Sequence, residues 1–381
     1  MKILIAPDSF KESLSAMEVA CEIEAGFREV FPEAEYRKVP VADGGEGTVE
    51  AMVAATGGRR VEVRVTGPLG EAVDAFYGLL GDGETAVIEM AAASGLELVA
   101  PDARNPLLTT SRGTGELIRH ALDAGARRFV MGIGGSATND GGAGMLQALG
   151  VRLMDAKGEE IGPGGGALAA LARIDVSRLD ARVAQSRIDV ACDVDNPLTG
   201  PHGASATFGP QKGATPDMVR ELDANLARFA QVLSRDLDAN VSDVPGAGAA
   251  GGMGAAMLGV LGGRLRPGIE IVTETIGLDA MLDGVDLVVT GEGRIDGQTV
   301  HGKTPIGVAR VAQARGIPVI GIAGSLADDA ALVHAHGIDA VFAAVRRICT
   351  LDVALRDAGI NVRAAARNAA AAIRLGLQLR H

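Results

Sequence analysis

The sequence predicts an α/β protein: a Rossmann-like parallel sheet domain with helices on both faces, plus an inserted second α/β domain with a mixed sheet. Three observations carry this reading. Short apolar strand candidates alternate with amphipathic helical stretches at both ends of the 381-residue chain, the middle carries hairpin-like strand pairs, and several strands run straight into glycine-rich loops.

The first unit is strand, loop and helix. Residues 2–6 (KILIA) read as a strand, APDSFKESLSA (6–16) as a loop, and the helix that follows is closed by Pro32. Ser15 with Glu18 three residues on forms a capping box, and Val19, Ala20, Ile23, Phe27, Val30 and Phe31 fall on one helical stripe. A second strand over 36–41 ends at the DGGEG turn (43–47) and leads into a helix over 48–55. The alternation returns near the other end, with strands over 286–289, 318–322 and 340–343, followed by an alanine-rich helix over 362–377. In between, 60–65 alternates, GPLG (67–70) turns, and 72–79 and 85–90 are short strands, so mixed pairing is expected there. Strands over 129–131 and 188–191 each enter a glycine or acidic loop. The domains therefore read as 1–58 with 284–381, and 59–283 inserted. Ligands of open α/β sheets gather at strand carboxyl ends, so the active site is expected in the cleft between the two domains.

Composition narrows the function. Net charge is −12, Trp is absent and aromatics are 3%, so the chain has neither the basic footprint nor the stacking platforms that nucleic acid demands. No apolar run reaches the ~18 residues of a membrane span, and no basic leader precedes the first strand, so a cytoplasmic enzyme is expected. Cys21, Cys192 and Cys349 show no C-x-x-C spacing, which argues against disulfides or structural zinc. Glycine, 53 residues and about twice the average share, is locally dense in five stretches: 40–48, 132–144, 193–214, 246–254 and 290–305. Backbone without Cβ atoms brings N–H groups up against an anion, while neighbouring Asp, Glu and Lys supply charge and metal ligands.

Each motif has a bland alternative. GIGGSATNDGGAG (132–144) combines Gly134, Gly135, Ser136, Thr138, Asn139 and Asp140 between a strand and a helix; a tight turn explains the glycines but not the density of polar groups. Asp140 in that loop is a candidate to hold a metal or its water. Asp193 and Asp195, two apart in extended chain, put both carboxylates on one face, as Mg²⁺ ligands or with one as base. An Asx-turn before Pro197 explains them equally well until Lys212, in the same segment, is counted. Asp8, Ser9 and Lys11 after the first strand, and Asp43 and Glu46 after the second, read either as helix-capping loops or as a charged site. Glu292 and Asp296 follow a strand, with a surface ion pair to Arg294 as the alternative. GAGAAGGMG (246–254) reads better as a close-packed helix contact. Residues 297–304 satisfy the P-loop pattern, but the strand is expected to end near 289–290 and an acidic segment to intervene, so a P-loop hydrolase is the minority reading and Lys303 a phosphate contact.

Taken in order, APDSFKESLSA, PVADGGEGT, TTSRGTGELI (109–118), GIGGSATNDGG, DVDNPLTGPHGA with FGPQKGA, GAAGGMG and VVTGEGRIDGQTVHGKTP resemble the bacterial glycerate kinase family, the glycerate 2-kinases of type I. The strings span residues 1 to about 345. Two positions depart from the pattern: Glu12 stands where a small residue such as Gly is expected, and Arg112 where an aromatic is common. The resemblance implies transfer of the ATP γ-phosphate to D-glycerate with Mg²⁺, giving 2-phosphoglycerate and ADP. It further implies that the 132–144 loop, through Gly134, Gly135, Ser136, Thr138 and Asn139, carries the nucleotide phosphates together with Lys303. Asp193, Asp195 and Glu292 would lie near the metal, with Asp193, Lys212 and Lys11 catalytic. Asp8, Ser9, Asp43, Gly44, Gly45 and Glu46, with Ser111 and Thr114, would shape the glycerate pocket. A non-catalytic glycerate sensor is the other class left open, though no basic helix-turn-helix accompanies the chain. The oligomeric state stays open, a homodimer included.

Overall fold

The computed structural model describes residues 1–379. Its strands, in chain order, are β1 (Lys2–Ile5), β2 (Glu35–Lys38), β3 (Arg59–Thr66), β4 (Ala72–Leu79), β5 (Thr85–Glu89), β6 (Arg128–Gly132) and β7 (Arg152–Met154). They continue with β8 (Arg173–Asp175), β9 (Arg187–Ala191), β10 (Arg264–Arg266), β11 (Leu287–Ile295), β12 (Val319–Leu326) and β13 (Ala340–Ala343). The chain divides into two compact units: Met1–Asp43 with Glu50–Thr56 and Ile269–His381, and Gly44–Val49 with Gly57–Gly268. The return to the first unit thus falls at Ile269, earlier than the expected 284.

The first unit is a five-stranded parallel sheet in the order β13-β12-β11-β1-β2. Read from β2 this is 2-1-3-4-5 in the unit's own strand sequence, a doubly wound arrangement. Its helices cover both faces. Ile3, Ile5, Val289 and Ile322 pack with the helices Ala16–Arg28 and Ala358–Leu379. The alternate residues Leu4 and Val288 are also fully buried, and the helix Thr304–Gln313 packs against β11 and β12. The Ser15 capping box forms, with Ser15 N donating to Glu18 Oε2 (2.8 Å) and Glu18 N to Ser15 Oγ (3.3 Å). Behind it Val19, Ile23 and Phe27 are fully buried, each worth about 1.5–3 kcal/mol of hydrophobic stabilisation.

One element departs from the sequence reading with consequences for the site. β11 does not stop near 290; it runs to Ile295, paired with β12 from Val288↔Val319 to Ile295↔Leu326. Low strand propensity in TGEGR is overridden because a parallel neighbour extends alongside it. The acidic segment is therefore strand, and the 297–304 loop does follow a strand end directly.

The second unit is a six-stranded mixed sheet, order β10-β9-β6-β5-β4-β3, in which β3, β4 and β5 pair antiparallel and β5, β6, β9 and β10 parallel. Every residue of β5 (TAVIE) is buried, as befits a central strand, whereas β3 at the edge alternates exposed and covered positions. The core gathers Ile88, Leu117, Phe129, Met131, Phe229 and Met253. A separate two-stranded ribbon, β7 with β8, was not foreseen from the sequence.

Candidate active site

At the carboxyl edge of the second unit's parallel strands, β6 ends at Gly132 and opens the 133–142 loop, whose tip, Gly134 and Gly135, is exposed. The rest is anchored from below. Asp140, fully buried, accepts hydrogen bonds at Oδ2 from Ser111 N (2.9 Å), Ser111 Oγ (2.8 Å) and Gly144 N (3.2 Å), and at Oδ1 from Gly142 N (3.0 Å). Both its oxygens are committed, so Asp140 is a loop anchor and not the metal holder the motif suggested. Ser111 Oγ also accepts from Met145 N (3.0 Å), and Thr114 Oγ1 is bonded to Ser94 Oγ (2.9 Å). Ser111 and Thr114 are fully buried, so in this conformation they hold backbone in place and present nothing to a ligand.

Lys212 is the central feature. Its side chain is enclosed, 2% exposed, and its ammonium donates to Ser136 Oγ (2.7 Å) and to the Thr138 carbonyl (2.6 Å). Burial drops its pKa from 10.5 to about 7, with Asp140 pulling partly the other way. The lysine nitrogen thus sits directly beneath the glycine loop, where an anion bound above would favour its charged form. Asn139 Nδ2 donates to Ser205 Oγ (3.0 Å), while Thr138 Oγ1 and Asn139 Oδ1 are buried without a partner. The 246–254 segment braces this loop. Ala250, Gly251 and Gly252 take left-handed conformations inside the helix Ala249–Gly259, Gly251 O accepts from Gly141 N (2.9 Å), and a Cβ on Gly251 would collide with the Thr138 carbonyl.

Two further strand ends flank the loop. β9 leads to Asp193 and Asp195, both exposed, with Asp193 Oδ1 accepting from Gly268 N (3.1 Å). β5 ends in Glu89, buried and paired in register with Gly132, whose Oε1 accepts from Val49 N (2.8 Å). Sequence reasoning passed over Glu89; an acid closing the apolar run Ala86–Ile88 was the available signal. Gly44 packs at the same edge against Ala191, Gly45 O accepts from Thr48 Oγ1 (2.7 Å), and Glu46 is exposed.

The first unit assembles a second polar group at the ends of β1 and β11. Asp8 accepts from Thr304 Oγ1 at Oδ2 (2.6 Å) and from Ser9 N at Oδ1 (2.7 Å). Burial, then the nearby Asp43 carboxylate, raises its pKa to about 7, with Glu292 adding to the effect and the hydrogen bonds from Thr304 and Ser9 opposing it. Glu292, buried, accepts from Thr299 Oγ1 (2.5 Å); desolvation pushes its pKa up, while Thr299 and Lys303 counter. Lys303, the N-cap of the helix Thr304–Gln313, lies 3.4 Å from Glu292 Oε2 and 3.9 Å from Asp296 Oδ1. Lys11 is exposed in the tight 10–14 turn. Among the described residues no three His, Cys, Asp or Glu side chains converge as a metal cluster.

A strand-end glycine loop over one buried lysine, with clustered acids at further strand ends, defines an α/β protein suited to anionic groups. Comparison with known proteins narrows this. A family model described as the glycerate kinase family matches residues 3–374. The chain is 62% identical to a glycerate 2-kinase of Escherichia coli (strain K12) over 378 residues, 99% of each. It is 61% identical to a glycerate kinase of Bacillus subtilis (strain 168) over 375 residues, 98% of each. A solved structure, a putative glycerate kinase 2 from Salmonella typhimurium LT2, superposes with a TM-score of 0.92 at 63% identity, covering 99% of both chains. The chain belongs to the glycerate kinase family and is an enzyme of that class.

Proposed function

We propose that the enzyme transfers the γ-phosphate of ATP to the 2-hydroxyl of D-glycerate, giving 2-phosphoglycerate and ADP, in the cytoplasm. The observation that carries this is the Lys212 ammonium enclosed beneath the Gly134–Asn139 loop. A preorganised cation under bare backbone N–H groups is what a migrating phosphoryl group asks for, because its loose transition state is stabilised by charge and positioning rather than by covalent help. In this reading the exposed Gly134 and Gly135, with Ser136, hold the terminal phosphate, the buried Thr138 and Asn139 support them from within the loop, Lys212 and Lys11 neutralise charge, and Lys303 lies on the phosphate chain. The glycerate carboxylate and hydroxyls fall to Asp8, Ser9 and the 43–46 turn, and Asp193 receives the hydroxyl proton.

Mg²⁺ fits the donors present. It takes one or two protein carboxylates and completes its shell with phosphate oxygens and water, so a preformed three-carboxylate cluster is not required. Asp193 and Asp195, exposed at the end of β9, would hold it, whereas both oxygens of Glu292, in the other unit, are engaged by Thr299 and Lys303. When bound it neutralises phosphate oxygens. Family membership favours this kinase over both the P-loop hydrolase and the passive sensor. Incubating the protein with Mg²⁺-ATP and D-glycerate and reading the product by phosphorus NMR tests the reading; 3-phosphoglycerate, or no phosphoglycerate, would overturn it.

A further inference from the structure

The carboxyl edge of the first unit's sheet holds a pocket of about 160 Å³ to which no role has yet been given. It is walled by the turn after β1, the ends of β11, β12 and β13, and the helices Leu351–Arg356 and Ala358–Leu379. Strand order reverses between β1 and β11, and that switch point is where doubly wound sheets take their ligands.

Its lining selects the ligand. Phe10, Val345, Leu351, Ala354, Leu355 and Val362 make it mostly apolar. Gly293 and Gly324 contribute bare backbone, and a Cβ on Gly324 would run into the Gly293 carbonyl. A cavity of ~150 Å³ with apolar walls accepts benzene, so this one suits a flat ring system. Polar side chains are few there, Lys11, Ser13, Ser325 and Asn361, so most of the wall offers a three-carbon acid with two hydroxyls no replacement for its hydration. One polar group faces the problem of edge recognition: Asn361 lines the pocket, and its Oδ1 accepts from Arg346 Nε (3.1 Å), which leaves the amide N–H₂ as donor. That N–H₂ can donate to an acceptor nitrogen at the edge of a purine ring. Along the chain, Phe10 and Lys11 follow Asp8 and Ser9, and Gly293 follows Glu292, so the pocket adjoins the group that Thr304 and Lys303 complete.

We propose that this pocket receives the purine base of the phosphoryl donor, with the phosphate chain passing Lys11 toward Lys303. The proposal rests on the reading that ATP is the donor. Two variants test it: Ala354→Phe, which fills the pocket, and Asn361→Leu, which removes the edge donor. Ala354→Phe raises the KM for ATP and the Kd for ADP at least about tenfold, and Asn361→Leu about fivefold, while the KM for glycerate stays within about twofold. Photolabelling of the wild type with 8-azido-ADP, mapped by mass spectrometry, places the adduct in residues 344–362. If both variants bind ADP as the wild type does, or the adduct lies wholly elsewhere, the base pocket is overturned while ATP-dependent phosphorylation of glycerate leaves the kinase reading intact. A wild type that uses no nucleoside triphosphate removes the kinase reading, and this one with it. Should Ala354→Phe fail to fold, Asn361→Leu and the labelling decide.

Discussion

Replacing Lys212 with Met separates what the buried ammonium does for stability from what it does for catalysis. The wild-type pKa of about 7, against 10.5 for an unperturbed lysine, means that the folded state disfavours the charged form by ~5 kcal/mol. The sign follows from proton counting. Between pH 7 and 10.5 the unfolded chain holds a proton on this lysine that the folded chain has released, so wild-type stability rises with pH across that window. Lys212→Met removes the penalty but leaves Ser136 Oγ and the Thr138 carbonyl without their donor, at roughly 1–3 kcal/mol each. Near pH 6 the two effects nearly cancel, and the variant melts close to wild type. From pH 6 to pH 9 the wild type gains ~3 kcal/mol that the variant does not. Activity behaves otherwise: losing a preorganised charge from the loop lowers kcat by about 10²–10³-fold. The assays are calorimetric or urea unfolding of both proteins at pH 6, 7.5 and 9, with kcat measured at each. A stability difference that stays constant from pH 6 to pH 9, or a variant with wild-type kcat, would refute the reasoning.

Three more outcomes are expected. Asp8→Asn removes a carboxylate titrating near 7, so an acid limb in kcat/KM near that pH disappears; in the wild type the same group costs stability as pH rises from about 4 through 7, and the variant's urea midpoint shows a flatter profile there. Glu12 has φ 63°, a left-handed conformation, and Glu12→Gly raises unfolding stability by about 1 kcal/mol in a urea titration; an unchanged midpoint argues against strain at that turn. Asp140→Asn turns an acceptor of four hydrogen bonds into a group with an amide facing N–H donors, costing roughly 2–4 kcal/mol in thermal unfolding together with most of the activity; a stable, active variant counts against the anchor role.

The fold was legible where local chemistry and burial agree. Ser15 and Glu18 sit on a stripe of Val19, Ile23 and Phe27, so capping, propensity and packing all point to one helix. The end of β11 was not legible, because Gly291 and Gly293 discourage a strand and only pairing with β12, distant in sequence, supplies the compensation. Within the site, Lys212 was visible as a charge near a glycine loop, but its enclosure depends on the 136–138 backbone folding over it. Ser111 and Thr114 illustrate the reverse: hydroxyls in a glycine-rich string suggest a ligand, yet their partners are Asp140 and Ser94 inside the fold. Glu12, which departs from the pattern of the resembled family, takes a positive φ, a conformation that a glycine suits better.

The register Ile3↔Leu287 sets the order in which this polypeptide can be assembled. A nascent chain must emerge almost to residue 290 before β1 meets its inner neighbour, and closing a loop of that length from the unfolded state costs roughly 5 kcal/mol in chain entropy. Structure formed first within the intervening segment shortens that search, so the amino-terminal strand, made earliest on the ribosome, is among the last to be locked in place.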